Sequence, residues 1–115
     1  NRTVEKAKLI KDNFSKIKIM EWGEYDKFDM IINATSLGLK QEDDIKLDFE
    51  KLGIGSFFYD IIYNPQGTNF IKKAKNISNN VENGKMMFIY QAHQSFAIWH
   101  NTLPEINEEV IKLVS

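Results

Sequence analysis

Apolar residues recur at helical spacing in several parts of the chain. The first pattern starts behind Thr3, a candidate helix cap, and consists of Val4, Ala7, Ile10 and Phe14. A second pattern follows the turn "NPQGT" and consists of Phe70, Ala74 and Ile77. The third runs from Met86 to His100, with its stripe at Met87, Ala92, Ser95, Phe96 and Trp99. A final helix is predicted behind "TLPE", with Thr102 as its cap and Pro104 in its first turn.

Shorter runs between these patterns have the composition of strands. Residues 28–35, "FDMIINAT", are mostly apolar and β-branched, which is typical of a strand buried on both faces. Residues 56–63, "SFFYDIIY", are similar and end at Asn64-Pro65. Residues 17–20 predict a short strand, and "NNVEN" predicts a very short one closed by Gly84. Strands that alternate with helices at this spacing predict an α/β fold with a mainly parallel sheet.

Composition narrows the function classes. The 115 residues are 43% apolar and 27% charged, as in an ordinary soluble globular chain. A formal net charge of −1 argues against nucleic-acid binding, which needs a clear cationic excess. The absence of cysteine excludes disulfides and thiolate metal sites. No apolar run approaches the roughly 20 residues of a membrane span, so we expect a cytoplasmic protein without membrane partners.

The first residues, "NRTVEKA", could bind an anion. Arg2 and Lys6 are one helical turn apart, beside the N-terminal amides of the predicted first helix. Amides, helix dipole and guanidinium together favour a dianion such as a phosphate monoester. The alternative from spacing alone is a solvated basic helix start.

Three further stretches offer candidate ligand contacts. The small residues of "NATSLG" follow a predicted buried strand, and the carboxyl edge of a parallel sheet is where ligands bind in α/β folds. Tyr59 and Tyr63 share one face of the next strand and Asp60 points the other way, so Tyr63 can present a hydroxyl at that edge. On the third helix Gln91 and Gln94 are neighbours and His93 is offset. Each stretch also has a structural interpretation: a compact turn, a core tyrosine and a solvated helix face.

In their order and spacing, four stretches together resemble the shikimate dehydrogenase family: "NRTVEKA", "FDMIINATSLG", "YDIIYNPQGTNF" and "NGKMMFIYQAHQSFAIWHN" with "LPE". The resemblance implies a Rossmann-like NADP-binding domain with a parallel sheet, followed by C-terminal helices. It also implies reduction of 3-dehydroshikimate to shikimate with NADPH, in aromatic amino-acid biosynthesis. A quinate/shikimate dehydrogenase, or a non-catalytic nucleotide-binding module, is the alternative.

The resemblance also implies roles for individual residues. The adenosine 2′-phosphate of NADP would be bound by Asn1, Arg2, Thr3 and Lys6. Thr35 and Ser36 would lie along the cofactor, and Ile61 would pack on the nicotinamide. Tyr63 and Gln91 would contact the substrate, shikimate or 3-dehydroshikimate.

The resemblance covers only the later part of the family's chain. The family's catalytic lysine and aspartate, and its glycine-rich pyrophosphate turn, have no counterpart here. We therefore expect an inactive fragment: an incomplete Rossmann-like domain over 1–84 that lacks its first two strands, and helices over 85–115 that face the missing substrate domain. Without those two strands, the segment 17–20 would close the gap and pair with the rest of the sheet, exchange with a second copy in a homo-oligomer or swapped dimer, or stay unpaired. We expect a repaired or oligomeric arrangement.

Overall fold

The computed structural model describes residues 3–114. Three short strands and four helices follow one another along this part of the chain. They are α1 (Val4–Asn13), β1 (Met30–Asn33), β2 (Phe57–Asp60), α2 (Asn69–Lys75), β3 (Val81–Asn83), α3 (Lys85–His100) and α4 (Glu108–Leu113), with a 3₁₀ turn at Phe49–Leu52 between β1 and β2. Within these residues, no helix has both the length and the apolar character that a bilayer crossing requires.

The three strands form one parallel sheet in the order β1-β2-β3. The register aligns Ile31 with Phe58 and Phe58 with Val81 in the middle of the sheet. Parallel neighbours need a crossover connection, and α2 lies in the connection between β2 and β3. The predicted α/β class with a parallel sheet is therefore confirmed.

The core lies on one face of the sheet. Phe58 is fully buried there, and its ring centroid lies 6.0 Å from those of both Phe49 and Phe70. The buried cluster around these rings consists of Ile45, Phe49, Leu52, Phe58, Phe70, Ile71 and Ala74. Aromatic pairs at this distance add about 0.5–1.5 kcal/mol beyond the burial of their area.

The opposite face of the sheet is largely open. Met30 and Ile32 of β1 are 52% and 53% exposed. The prediction that residues 28–35 are buried on both faces is therefore wrong for this chain. β1 is one of the two edge strands of the sheet, and among its apolar residues only Ile31 packs against the core.

The predicted strand at residues 17–20 is absent. The segment has no strand hydrogen bonds, although Ile19 and Met20 are half-buried. Lys18 instead forms an exposed ion pair with Asp26, with Nζ and Oδ2 3.1 Å apart. A strand is stable only when its backbone groups pair with a neighbour, and β1 pairs with β2 alone among the described residues. The segment is thus left unpaired, and the single chain does not show the expected repair.

The last helix begins later than predicted. Asn107, not Thr102, is its cap, and the Asn107 Oδ1 accepts a hydrogen bond from the Val110 amide at 3.1 Å. Pro104 lies in the connection rather than in a first turn. The reason is local, since Asn101 takes the left-handed backbone that ends α3 and starts a longer connection.

Candidate functional site

The strands end in polar residues at one edge of the sheet. Asn33, Asp60 and Asn83 are the last residues of β1, β2 and β3, and the parallel register places them side by side. The loops that leave this edge contain four of the nine residues predicted to bind ligands: Thr35, Ser36, Ile61 and Tyr63. Open parallel sheets bind their ligands at this edge.

The Asp60 carboxylate is the centre of a buried hydrogen-bond network. Its Oδ1 accepts from the side-chain amide of Asn33 at 3.0 Å and from the backbone amide of Ile62 at 3.1 Å. Its Oδ2 accepts from the hydroxyl of Thr68 at 2.5 Å, and this hydroxyl also caps α2 by accepting from Ile71. Asp60 is 0% exposed, so hydrogen bonds replace the water that the carboxylate loses.

Asn33 extends this network into the loop that follows β1. Its Nδ2 also donates to the carbonyl of Leu37 at 3.0 Å, and its Oδ1 accepts from both the amide and the hydroxyl of Thr35. The Thr35 hydroxyl in turn accepts from the Leu37 amide at 3.1 Å. The "NATSLG" stretch is therefore a turn fixed by its own side chains, as its structural interpretation required.

A depression of about 250 Å³ opens beside this turn. It is lined by Thr35, Leu39, Ile61, Ile62, Tyr63 and Asn64. Three of the predicted site residues, Thr35, Ile61 and Tyr63, are thus brought together although they come from two different loops. Ser36 is the next residue in the first loop and is exposed.

Tyr63 is placed by a ring contact and not by the strand. β2 ends at Asp60, so the expected sharing of a strand face with Tyr59 does not apply. Instead the Tyr63 ring stacks on Phe88 of α3, with centroids 4.6 Å apart and planes at 24°. Gln91 is exposed one helical turn after Phe88, and residues three apart on a helix are neighbours on its surface.

The predicted anion site is only partly described. Asn1 and Arg2 lie outside the described residues. Thr3 occupies the N-cap position of α1 with an extended backbone. Lys6 is exposed in the first turn of α1 and does not line the depression.

The acidic loop at residues 41–44 is held in place by its two aspartates. The Asp43 carboxylate accepts from the amides of Lys40 and Gly38 at 3.0 and 3.1 Å. These two backbone hydrogen bonds hold the pKa of Asp43 below its usual value. Asp44 forms an ion pair with Lys73 of α2 at 2.7 Å. The carboxylates of Asp43 and Asp44 therefore both hold the loop that carries Leu39.

His93 joins α3 to the connection that precedes α4. Its Nε2 lies 2.8 Å from the carbonyl oxygen of Pro104, and because a carbonyl only accepts, this nitrogen carries the proton. Its Nδ1 is then the acceptor for the Gln94 amide at 3.3 Å. His93 therefore has a structural role, because it attaches this connection to α3.

Sequence reasoning missed Asn33 and Asp60 as parts of the site. A carboxylate inside an apolar strand is a signal that buried partners exist, because an unpaired buried charge is costly. The pattern does not say which partners, since Asn33 is 27 residues away along the chain.

An open parallel sheet whose carboxyl edge carries the site loops is typical of doubly wound α/β domains, the class that includes the Rossmann fold. The chain is 54% identical, over 99% of its length, to the shikimate dehydrogenase (NADP(+)) of Pelagibacter ubique. It belongs to the shikimate dehydrogenase family. It spans about two-fifths of that relative, 43% of its length.

Solved structures agree with this assignment. Shikimate dehydrogenase from Aquifex aeolicus superposes with a TM-score of 0.76 at 26% identity, over 99% of this chain and 42% of that one. A shikimate dehydrogenase crystallised with NADP+ gives a TM-score of 0.63 at 39% identity, over 75% of this chain and 30% of that one. No family model matches the chain.

Proposed function

We propose that this chain forms the NADP-binding part of a shikimate dehydrogenase, an enzyme that reduces 3-dehydroshikimate to shikimate with NADPH. The observation that supports this most directly is the 54% identity to a shikimate dehydrogenase over nearly the whole chain. We keep a cytoplasmic location and a homo-oligomer or swapped dimer as predictions.

The depression at the carboxyl edge supports the cofactor assignment. Thr35 and Ile61 line it together, although 26 residues separate them in the sequence. When bound, NADPH supplies a hydride. The chain's own contribution is to hold the cofactor: Thr35 and Ser36 along it, and Ile61 against its nicotinamide. The basic start of the chain, Asn1, Arg2, Thr3 and Lys6, would bind the 2′-phosphate.

The substrate assignment concerns Tyr63 and Gln91. The stack on Phe88 brings the Tyr63 ring to the first turns of α3, and Gln91 is exposed one turn further on. A phenol and an amide in this arrangement can donate to the hydroxyls and carboxylate of a small polyhydroxy acid. This chemistry fits shikimate and also quinate.

The chain by itself would be inactive. Proton transfer needs a positioned acid or base, and the family's catalytic lysine and aspartate have no counterpart here. Residues 85–115 would face the rest of the enzyme. The exposed apolar side chains of α3 support this, since Ile98 and Trp99 are 79% and 77% exposed, and exposed apolar patches mark interaction surfaces.

The experiment is an absorbance assay of nicotinamide reduction by the full-length protein, with shikimate or quinate and with NADP+ or NAD+. Turnover with shikimate and NADP+ would support the proposal, and turnover with quinate would favour the alternative. Failure of every pair would favour a non-catalytic module. The 115-residue chain assayed in parallel should show no turnover.

A further inference from the structure

We propose that Asp60 is a positioning residue for the reaction assigned above. Its buried carboxylate holds the loop that follows β1 and the loop that follows β2 in one fixed arrangement. This inference rests on the proposed function, because these loops carry Thr35, Ile61 and Tyr63.

Asp60 connects three segments of the chain. Asp60 accepts hydrogen bonds from Asn33, from the Ile62 amide and from Thr68. These donors belong to the end of β1, to the loop after β2 and to the cap of α2. One side chain thus connects three segments, and two of them, the loops after β1 and β2, line the depression.

The presence of a carboxyl group at position 60 also points to a positioning role. None of the ion pairs among the described residues involves Asp60, and its three hydrogen-bond donors are all neutral groups. An apolar residue at position 60 would leave the Asn33, Ile62 and Thr68 donors without their acceptor, at about 1–3 kcal/mol for each buried group. Phe58 shares the inward face of β2 and is equally buried. A carboxylate in this place is better explained by the geometry it imposes on its donors.

A separate contact connects the same two loops. An ideal β-carbon on Gly38 would lie 3.1 Å from Cδ1 of Ile62 and 3.2 Å from Cγ2 of Thr68. The backbone of the first loop therefore rests directly on the second loop and on the helix cap. A shift of either loop is transmitted to the other, since packed groups leave no free space between them.

The test uses the full-length protein and four variants. Asp60→Asn replaces one of the two acceptor oxygens by an amide group, and Thr68→Val removes one donor together with the oxygen that caps α2. Thr68→Ser keeps that donor and is the conservative variant. Ser56→Ala is the matched control at the opposite end of β2, where the buried Ser56 hydroxyl donates to the Phe28 carbonyl at 2.6 Å.

Two measurements are compared. The first is hydrogen exchange of ligand-free protein over residues 33–39 and 60–68, and the second is kcat and KM for shikimate and NADP+ below the unfolding temperature. We expect Asp60→Asn and Thr68→Val to speed exchange in both loops and to lower kcat about 10–100-fold, because small misplacements of binding groups have effects of this size. Thr68→Ser and Ser56→Ala should keep kcat within about threefold of the parent.

The outcomes separate the two proposals. If the parent turns over shikimate but Asp60→Asn changes neither exchange nor kcat, the positioning role is overturned and the proposed function stands. If the parent lacks turnover, the proposed function fails, and faster exchange in both loops of Asp60→Asn still supports the coupling. Should Asp60→Asn not fold, the Thr68→Val and Thr68→Ser pair decides. Equal kcat in that pair overturns the role.

Discussion

The carbonyl oxygen of Ile61 occupies the space that a side chain at Gly84 would need. An ideal β-carbon on Gly84 would lie 1.9 Å from this oxygen, far inside contact distance. The end of β3 therefore approaches the loop after β2 more closely than any other residue type allows. This contact sets the backbone position of the residue proposed to pack on the nicotinamide.

Gly84→Ala should displace Ile61 and weaken cofactor binding. The backbone of Gly84 has an ordinary φ of −75°, so the steric clash alone causes the effect. We expect a loss of about 1–3 kcal/mol in the free energy of unfolding and a higher Kd for NADP+, measured by thermal unfolding and titration. Gly23→Ala is the control, because its φ of +93° is strained but nothing lies within 4 Å. A Gly84→Ala protein that binds NADP+ with the parent's Kd would contradict the prediction.

Tyr63→Phe should affect the substrate and not the fold. The variant keeps the ring that stacks on Phe88, so the melting temperature should stay near that of the parent. Loss of one hydroxyl should lower kcat/KM for shikimate about tenfold, as expected for one lost hydrogen bond. Phe88→Leu is the complementary variant, because it removes the stack and leaves the hydroxyl. An unchanged kcat/KM in Tyr63→Phe would remove Tyr63 from the proposed substrate site.

Arg2→Ala should abolish the preference for NADP+ over NAD+. A charge-assisted hydrogen bond to phosphate contributes about 1.5–3 kcal/mol, which corresponds to roughly 10–150-fold in the ratio of kcat/KM values. Lys8→Ala removes a charge from α1 at a residue outside the proposed phosphate-binding set and should leave the ratio unchanged. If Arg2→Ala and the parent had the same ratio of kcat/KM for NADP+ over NAD+, Arg2 would have no role in binding the 2′-phosphate.

The loop at 38–43 should loosen in acid through Asp43. The amides of Lys40 and Gly38 lower the pKa of this carboxyl in the folded state. Its stabilisation is therefore complete above the unfolded pKa of about 3.9 and is lost as pH falls through the lower folded value. Hydrogen exchange of residues 38–43, corrected for its intrinsic pH dependence, should rise as the pH falls below about 4.

Two variants test the assignment to Asp43. Asp43→Asn should show fast exchange in this loop already at the higher pH. Asp26→Asn is the matched control, because the pKa of Asp26 is also lowered, chiefly by its hydrogen bond with Lys18, but in a different turn. If Asp26→Asn changed exchange at 38–43 as much as Asp43→Asn, the local explanation would be wrong.

Local patterns were sufficient for several elements. The stripe from Met86 to His100 predicted α3, and Phe70 with Ala74 predicted α2. β2 and β3 were also found, though β2 is shorter than its apolar run. These elements are specified by their own residues, because helical spacing and β-branched runs are properties of neighbouring positions.

Tertiary structure decided the rest. Residues 17–20 have the composition of a strand but no partner, and a strand exists only through the pairing of its backbone. Asp60 was predicted to point away from Tyr59, yet its role depends on Asn33, 27 residues earlier, and on Thr68. The sequence by itself determined α1, α2, α3 and the three strands of the sheet, and which family they resemble. Only the folded chain decided which loops meet at the sheet edge, because hydrogen bonds between distant residues have no signal in local spacing.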